Sequence, residues 1–289
     1  MKADKEKLYR DVEYLTGIVP PRNYKNQESL NRAADYIKKE FEKCGSKTEE
    51  QTWLADGNEY RNIILKYAPE KSKRLIIGAH YDVCCDQPGA DDNASAIAGL
   101  LETARLVFDN NPKPGYGIDF VAFSLEEPPF FGGTKMGSHV HAKSLYDSNT
   151  DVVGMVCYEM IGYFSDEPGS QNYPTKELAR TFPDVADFIA VVGISEHQEF
   201  SNRFYEQMSL ESEVKVLVNN FPSGEGLAGM SDQLNYWRYG YKALMINDTS
   251  FLRNPNYHMV TDTIDTLDFN RMKQVVDSTY RAVINLNKV

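Results

Sequence analysis

Apolar side chains near the start of the chain recur at the spacing of a helix. In the segment SLNRAADYIKKEFEKCG they stand three or four residues apart, at Leu30, Ala33, Ala34, Ile37 and Phe41. This period places them on one face of a helix, and Gly45 is a natural place for that helix to end. We therefore predict that residues 1–45 form helices.

Later segments alternate between strand-like and helix-like patterns. Short apolar runs rich in β-branched residues, typical of buried strands, occur at 61–68, 74–82, 117–127, 152–164, 186–194 and 242–248. Segments with helical periodicity lie among them, at 93–110, 132–145 after a glycine-rich turn, 198–210 and 270–286. Such alternation favours a largely parallel sheet with helices packed on both of its faces.

The predicted fold class is therefore α/β. We expect a single domain over residues 1–289, built as an α/β/α sandwich around a mostly parallel, mixed central sheet. Two polar stretches rich in Pro, Gly and Ser, at 165–182 and 220–232, are interpreted as loops of this domain. The region 195–230 is interpreted as a lid or as one wall of a pocket, because its glycines permit movement.

The charge balance argues against nucleic acid as a partner. The chain has 31 Lys and Arg against 42 Asp and Glu, a net charge of −11, and no basic tract. No apolar run reaches the ~20 residues of a membrane span. The first residues lack the apolar core of a secretion signal. We predict a cytoplasmic protein, with a removed signal as the alternative, and leave the oligomeric state open.

The cysteines give a weaker signal. There are four, without a CxxC pair, which does not indicate a disulfide framework. Cys84 and Cys85 are neighbours, and we interpret them as reduced packing residues. A vicinal disulfide and a metal site are the alternatives.

Potential metal ligands stand at the ends of the predicted strands and in the loops that follow. They are His80, Asp82, Asp91, Asp92, Glu126, Glu127, Glu159 and His258. In open α/β sheets, bound molecules and ions lie at the carboxyl ends of the strands. Taken singly, most of these residues have structural explanations: a buried histidine for His80, a helix cap for Asp91 or Asp92. Glu159 is different, because it interrupts an apolar run and a buried carboxylate needs a partner.

The set as a whole favours a metal site. His80 and Asp82 are two residues apart on an extended segment, so their side chains share a face. Asp82 can then accept a hydrogen bond from the ring nitrogen of His80 that faces away from a metal. Two histidines with several carboxylates and no thiolate suit zinc or a similar divalent ion.

The motifs GAHYD, GADDNASAIAGLLETAR, EE after an apolar strand, and NPNYHMVTDT occur in this order. Together they resemble the co-catalytic di-zinc aminopeptidases, which are leucyl-aminopeptidase-type metallo-exopeptidases related to glutaminyl cyclases and to peptidase-like domains of receptors. The resemblance covers roughly residues 25–289. It implies a zinc-exopeptidase-like fold and two zinc ions per chain, or a single one.

The resemblance also implies a role for each matching residue. The expected metal ligands are His80, Asp92, Glu127, Glu159 and His258. Asp92 would bridge two ions, one held by Glu127 and His258 and the other by Glu159 and His80. Glu126 would be the general base for a metal-bound water, Asp82 would orient His80, and Asp91 would be a cap or an outer group.

This chain departs from the family pattern at three places. Many relatives have aspartate where Glu159 stands, and many have Ser-Asp-His where this chain has Ser231-Asp232-Gln233. Pro128 and Pro129 follow the paired glutamates, where a smaller turn is common. These departures put the second metal and an outer contact in question.

The expected function is a zinc-dependent aminopeptidase acting on peptides with a free N-terminus. One alternative is a glutaminyl cyclase-like acyltransferase with one zinc ion, whose chemistry needs no attacking water. The other is a peptidase-like binding domain without catalysis, although none of the expected ligands is missing.

Overall fold

The computed structural model describes residues 1–287, which form one eight-stranded sheet between two helical layers. The strands are β1 (Thr48–Ala55), β2 (Asn58–Tyr67), β3 (Lys73–His80), β4 (Gly117–Phe123), β5 (Asp151–Glu159), β6 (Phe188–Ile194), β7 (Lys215–Phe221) and β8 (Ala243–Asn247). Their order across the sheet is β1-β2-β4-β3-β5-β8-β6-β7.

The centre of the sheet is parallel and its margins are mixed. The pairs β4–β3, β3–β5 and β5–β8 are parallel, as is the pair β6–β7. The pairs β1–β2, β2–β4 and β6–β8 are antiparallel. The predicted α/β class with a mostly parallel, mixed sheet is thus confirmed. Because β4, β3 and β5 are parallel neighbours, their carboxyl ends open at one edge of the sheet.

Eight helices complete the described part of the chain. They are α1 (Lys5–Thr16), α2 (Gln27–Glu42), α3 (Ala96–Asn110), α4 (Gly137–Asp147), α5 (Lys176–Thr181), α6 (Gln198–Ser209), α7 (Gln233–Arg238) and α8 (Phe269–Asn285). The apolar faces of α1, α2, α3, α6 and α8 share one core with the sheet. Those of α4 and α7 pack against the other face. Successive side chains of a strand point to opposite faces of the sheet, so each strand contributes to both cores. In β3, Leu75 and Ile77 face the larger core and Ile76 faces the smaller one.

The sequence patterns did not predict four of these elements. Strand β1 is an edge strand with the sequence TEEQTWLA, and most of its side chains reach solvent, so it lacks an apolar run. Strand β7 is the opposite edge and ends in Asn219, Asn220 and Phe221. Helices α5 and α7 have only six residues each, too few to establish a period.

Two predicted regions contain more regular structure than expected. The stretch 165–182, interpreted as a loop, includes α5. The region 195–230 contains α6, where a helix was predicted, and in addition β7; both belong to the layers of the sandwich. None of the helices within residues 1–287 combines the length and the apolar character that crossing a membrane requires.

Candidate metal centre

The acidic and imidazole side chains meet where three central strands end. His80 is the last residue of β3, Glu159 is the last residue of β5, and Glu126 and Glu127 follow β4. Since β3 lies between β4 and β5, these side chains come from adjacent strands. Asp92 lies at a kink in the segment Ala90–Ser95, which precedes α3, and its own backbone is not helical (φ −103°, ψ 90°). With His258, which lies beside Asp92, the structure brings together residues separated by up to 178 positions along the chain.

The ring of His80 points one nitrogen at the acids. Its Nε2 lies 3.2 Å from Oε2 of Glu159, 3.6 Å from Oδ1 of Asp92 and 3.8 Å from Oε2 of Glu126. Its Nδ1 lies 3.2 Å from the main-chain oxygen of Asp82 and 3.6 Å from that residue's carboxylate. A proton on Nδ1 is therefore held by the main chain, which leaves Nε2 as the nitrogen available to a cation.

Asp92 lies between the two histidines. Its Oδ1 faces His80, and its Oδ2 lies 3.1 Å from Nε2 of His258. The same nitrogen of His258 is 3.5 Å from Oε2 of Glu127. Each oxygen of Asp92 thus has its own imidazole, and each imidazole has a further glutamate, Glu159 for His80 and Glu127 for His258. This is the arrangement that a carboxylate bridging two cations requires.

Asp82 fixes the turn that carries the paired glutamates. Its two oxygens accept hydrogen bonds from the main-chain N–H groups of Glu126 and Glu127, at 3.1 and 3.0 Å. The carboxylate of Asp82 also lies 3.6 Å from Nδ1 of His80, and the main-chain oxygen of Asp82 is the nearer acceptor, at 3.2 Å. Asp82 is only 1% exposed, so these bonds are shielded from water.

Asp262 plays the corresponding part for the turn that carries Asp92. Its two oxygens accept hydrogen bonds from the main-chain N–H groups of Asp91 and Asp92, at 2.9 and 3.1 Å. Asp91 itself turns away from the cluster and accepts hydrogen bonds from the Gly162 main chain and from Asn254. Sequence reasoning did not single out Asp262, although it lies four residues after His258 in the last motif.

A buried arginine ties the N-terminal helices to the same loops. The guanidinium of Arg22 donates hydrogen bonds to the main-chain oxygens of Leu15, Tyr81, Pro88 and Gly89. Arg22 is 1% exposed, and burial lowers the pKa of its guanidinium to about 10. This buried cation lies near the acidic cluster, but it binds main-chain oxygens and not the carboxylates.

Glu159 is oriented by polar neighbours on both sides. Its Oε2 accepts hydrogen bonds from Ser231 Oγ at 2.6 Å and from Asn93 Nδ2 at 3.2 Å. Gln233, which stands where many relatives have histidine, is fully buried and donates its amide to the main-chain oxygen of Ala228. Asp232 is also fully buried, and burial raises the pKa of its carboxyl to about 7.

The cluster has more negative than positive groups, and its pKa values reflect this. Burial raises the pKa of Glu127 to about 8, and the charge of Asp92 adds to the shift. Burial lowers the pKa of His258, but hydrogen bonds to Asp92 and Glu127 outweigh it and raise this pKa to about 10. Among residues 1–287, no donor reaches the buried Oε1 of Glu127. A divalent cation would neutralise these acids and satisfy that oxygen, so the donor set fits zinc.

Two cavities meet at this cluster. One, of about 220 Å³, is lined by Asp92, Glu126, Glu127, Pro128, Phe131, Glu159, Met230, Tyr257 and His258. A second, of about 100 Å³, is almost entirely apolar, and its walls include Leu178, Phe188, Ala190, Leu217 and Met245. Glu159 and Met230 line both cavities. An elongated ligand at the cluster can therefore place an apolar group in the second cavity.

Two further histidines, His139 and His141, lie on α4, away from the acidic cluster. His141 is 3% exposed on α4, and its Nδ1 is 2.6 Å from the hydroxyl of Tyr236. His139 contacts the hydroxyl of Tyr239 on the surface side of the same helix. Within residues 1–287 neither belongs to a group of three side chains able to hold a metal.

An α/β sandwich with this acid and imidazole cluster at the ends of its parallel strands has the architecture of the exopeptidase class that the sequence resembles. The family assignment agrees. A sequence model described as Peptidase family M28 matches residues 62–283, and the chain belongs to that family.

Relatives extend over most of the chain. An uncharacterized protein of Escherichia coli (strain K12), YfbL, is 42% identical and covers 98% of this chain and 88% of its own length. Leucine aminopeptidase 1 of Blastomyces gilchristii is 24% identical over 88% of this chain, which spans 64% of that relative.

Solved structures share the fold. LapB from Legionella pneumophila has a TM-score of 0.77 at 21% identity, and covers 99% of this chain and 73% of its own. A glutaminyl cyclase of Bacteroides thetaiotaomicron, bound to N-acetylhistamine, has a TM-score of 0.72 at 20% identity over 99% of both chains.

Proposed function

We propose that this protein is a metal-dependent aminopeptidase that removes N-terminal residues from peptides. The observation that carries the proposal is the position of Asp92, whose two oxygens face two different imidazoles. Each imidazole has its own second carboxylate, Glu159 for His80 and Glu127 for His258. These five side chains would hold two zinc ions. Bound zinc would lower the pKa of water and polarise the scissile carbonyl.

Glu126 is the general base in this proposal. It is next to the ligand Glu127 in the chain, but its carboxylate lies on the His80 side of the cluster. Burial raises the pKa of Glu126 well above its usual range, so this carboxylate is a better proton acceptor than an exposed glutamate. It takes a proton from the attacking water and carries it to the leaving amine. Asp82 acts through the main chain, as a positioning residue for both glutamates.

The two cavities suggest how a substrate lies in the site. Glu159 borders both of them, so an N-terminal residue whose α-amine is near Glu159 can direct its side chain into the apolar cavity. A water molecule needs roughly 10–15 Å³ of such volume. About 100 Å³ therefore holds the equivalent of roughly seven to ten waters, which is enough for a branched or aromatic side chain. We expect peptides with a large apolar N-terminal residue to be preferred.

The variant Glu126→Gln tests the proposal. Gln has the same shape but cannot accept the proton, so kcat on leucyl amides should fall by about 10²- to 10⁴-fold. Zinc content, measured by elemental analysis, should stay at the wild-type value, because the proposed ligands are intact. Glu167→Gln, a change of the same kind at an exposed position, should leave kcat unchanged. Near-normal hydrolysis by Glu126→Gln would contradict the proposal.

A glutaminyl cyclase remains the competing function. Cyclisation of an N-terminal glutamine releases ammonia without consuming water, so it needs no second cation. The complete ligand set around both imidazoles favours hydrolysis. Incubation with peptides that begin with glutamine or with leucine separates the two. Formation of pyroglutamate, with no release of leucine, would replace the aminopeptidase by the cyclase.

A further inference from the structure

One side of the cluster includes a thiol that has no part in the proposed chemistry. Cys84 lies four residues after His80, in the loop that follows β3. Its Sγ, a carboxylate oxygen of Glu127 and a ring nitrogen of His258 all lie within 4.8 Å of one another. Cys84 is 8% exposed and therefore turned inward, whereas Cys85 is exposed. Of the two neighbouring thiols, only the first faces the acids.

One oxygen of the Glu127 carboxylate, near this thiol, lacks a hydrogen-bond partner. Glu127 is 5% exposed, and its Oε1 accepts no hydrogen bond within the described residues. A buried carboxylate oxygen without a donor points to a missing cation or donor. Within residues 1–287, the hydrogen-bond partner of the Cys84 thiol is the Sγ of Cys85, at 3.3 Å. The Cys84 thiol and the Glu127 carboxylate, one of whose oxygens has no hydrogen-bond donor, therefore lie close to each other.

We propose that Cys84 is a further ligand, as a thiolate, of the cation that Glu127 and His258 hold. The inference rests on the proposed function, because it concerns the same metal centre. Asp92, Glu127 and His258 supply three ligands, and Cys84 supplies the fourth of a tetrahedral set. The thiol proton leaves to solvent as the sulfur binds the metal.

The distances allow this with a small movement. Zinc–sulfur and zinc–nitrogen bonds of about 2.3 and 2.1 Å put tetrahedral ligand atoms about 3.6 Å apart. His258 and Glu127 are already at 3.5 Å. The thiol thus has to approach by at most roughly 1.2 Å from the 4.8 Å limit. A rotation of the Cys84 side chain away from Cys85 supplies a shift of this size.

A thiolate would change which metals the site accepts. Sulfur ligands select soft or borderline cations such as zinc, whereas carboxylates and water suit magnesium, calcium and manganese. The half of the centre at Glu127 and His258 would therefore prefer zinc, cobalt or cadmium. Within residues 1–287, the groups around His80 that could hold a metal contain nitrogen and oxygen donors alone, so this half would discriminate less. The two positions of one centre would then differ in affinity.

Cobalt spectroscopy tests the proposal on the full-length protein. The metal-free protein is titrated with Co²⁺ in the presence of a phosphine reductant, which keeps the thiols reduced. Visible bands report cobalt binding at any ligand set, and a near-ultraviolet charge-transfer band reports a sulfur ligand. Wild type and Cys85→Ser should show both signals. Cys84→Ser should keep the visible bands, lose the near-ultraviolet band, and bind one cobalt at least about 10-fold more weakly, the lower end for loss of an outer-shell group.

Each result has a definite meaning. Visible bands without a near-ultraviolet band in wild type would overturn the role of Cys84 and leave the proposed peptidase intact. Loss of the band in Cys85→Ser but not in Cys84→Ser would also overturn it. If no cobalt binds, both this inference and the metal-dependent function fail.

A measurement on wild type covers the case in which Cys84→Ser does not fold. The protein is treated with iodoacetamide with and without Co²⁺, and the modified cysteines are identified by peptide mapping. Cobalt should slow alkylation of Cys84 at least several-fold and leave the exposed Cys85 unaffected. Equal alkylation of Cys84 in both conditions would overturn the proposal.

Discussion

The variant Asp82→Asn weakens hydrogen bonds that position the candidate metal centre, but it replaces none of the proposed metal ligands. The carboxylate of Asp82 accepts the N–H groups of both Glu126 and Glu127, one on each oxygen. An asparagine amide has the same shape but only one oxygen. One N–H therefore keeps an acceptor, and the other faces an NH₂ group that cannot accept.

The size of the effect follows from these contacts. A hydrogen bond to a charged group contributes about 1.5–3 kcal/mol, and a buried polar group left without a partner costs about 1–3 kcal/mol. We expect a loss of about 2–4 kcal/mol, since one of the two bonds survives. Unfolding entropy of about 2.1 cal/mol/K per residue, over 289 residues, converts this into a fall in Tm of roughly 3–7 °C. Zinc affinity should fall about 10- to 100-fold, as for other outer-shell partners.

Calorimetry of the metal-free protein and a competitive zinc titration measure the two effects separately. Asp86→Asn is the matched control, because Asp86 is exposed in the same loop. It should change neither the Tm nor the zinc affinity. If Asp82→Asn unfolds at the wild-type temperature and binds zinc equally well, the main-chain bonds to Asp82 do not support the centre and the reasoning is refuted.

Two further predictions concern the cavity and a buried histidine. Ala190→Phe places a ring in the apolar cavity. The kcat/KM for leucyl amides should therefore fall by about 10- to 200-fold, while the kcat/KM for alanyl amides should fall much less. Equal losses on both substrates would contradict a side-chain pocket. Burial lowers the pKa of His141 to about 3, so between that pH and about 6.5 the unfolded chain binds a proton that the folded chain does not. Acidification from pH 7 to 5 should therefore lower the free energy of unfolding by about 2 kcal/mol more in wild type than in His141→Gln, and an equal loss in denaturant titrations of both proteins would count against a neutral buried ring.

The central strands could be predicted because they are buried on both faces. Strands β3, β4, β5, β6 and β8 read as continuous apolar runs. The edge strands could not, since an edge strand needs fewer apolar side chains and depends on its neighbour for hydrogen bonds. The same reasoning explains α7, which is short and contains the buried polar residue Asn235. Its place is determined by packing between α4 and β8, which a local pattern does not record.

The acid and imidazole positions of the site could also be predicted, because parallel strands bring their ends to one edge. The structure places all seven expected side chains within or beside one cluster, while their chemical roles stay predictions. The hydrogen bonds that orient the cluster could not be predicted. Asp262 reaches the turn of Asp92 from 170 positions away, and no spacing rule connects two such segments. Cys84 was interpreted as a packing residue because a single loop gives no information about the loop of His258 opposite.

The clamp made by Arg22 lies outside the region that defines the family. The family match begins at residue 62, yet this side chain holds the main chain at Tyr81, Pro88 and Gly89. The segment that the family model matches is therefore shorter than the segment that positions the loops of the acidic cluster. A protein shortened to the segment that the family model matches would leave several buried carbonyls without their hydrogen-bond donor. Domain borders for expression or for chimeras should therefore lie before the first helix.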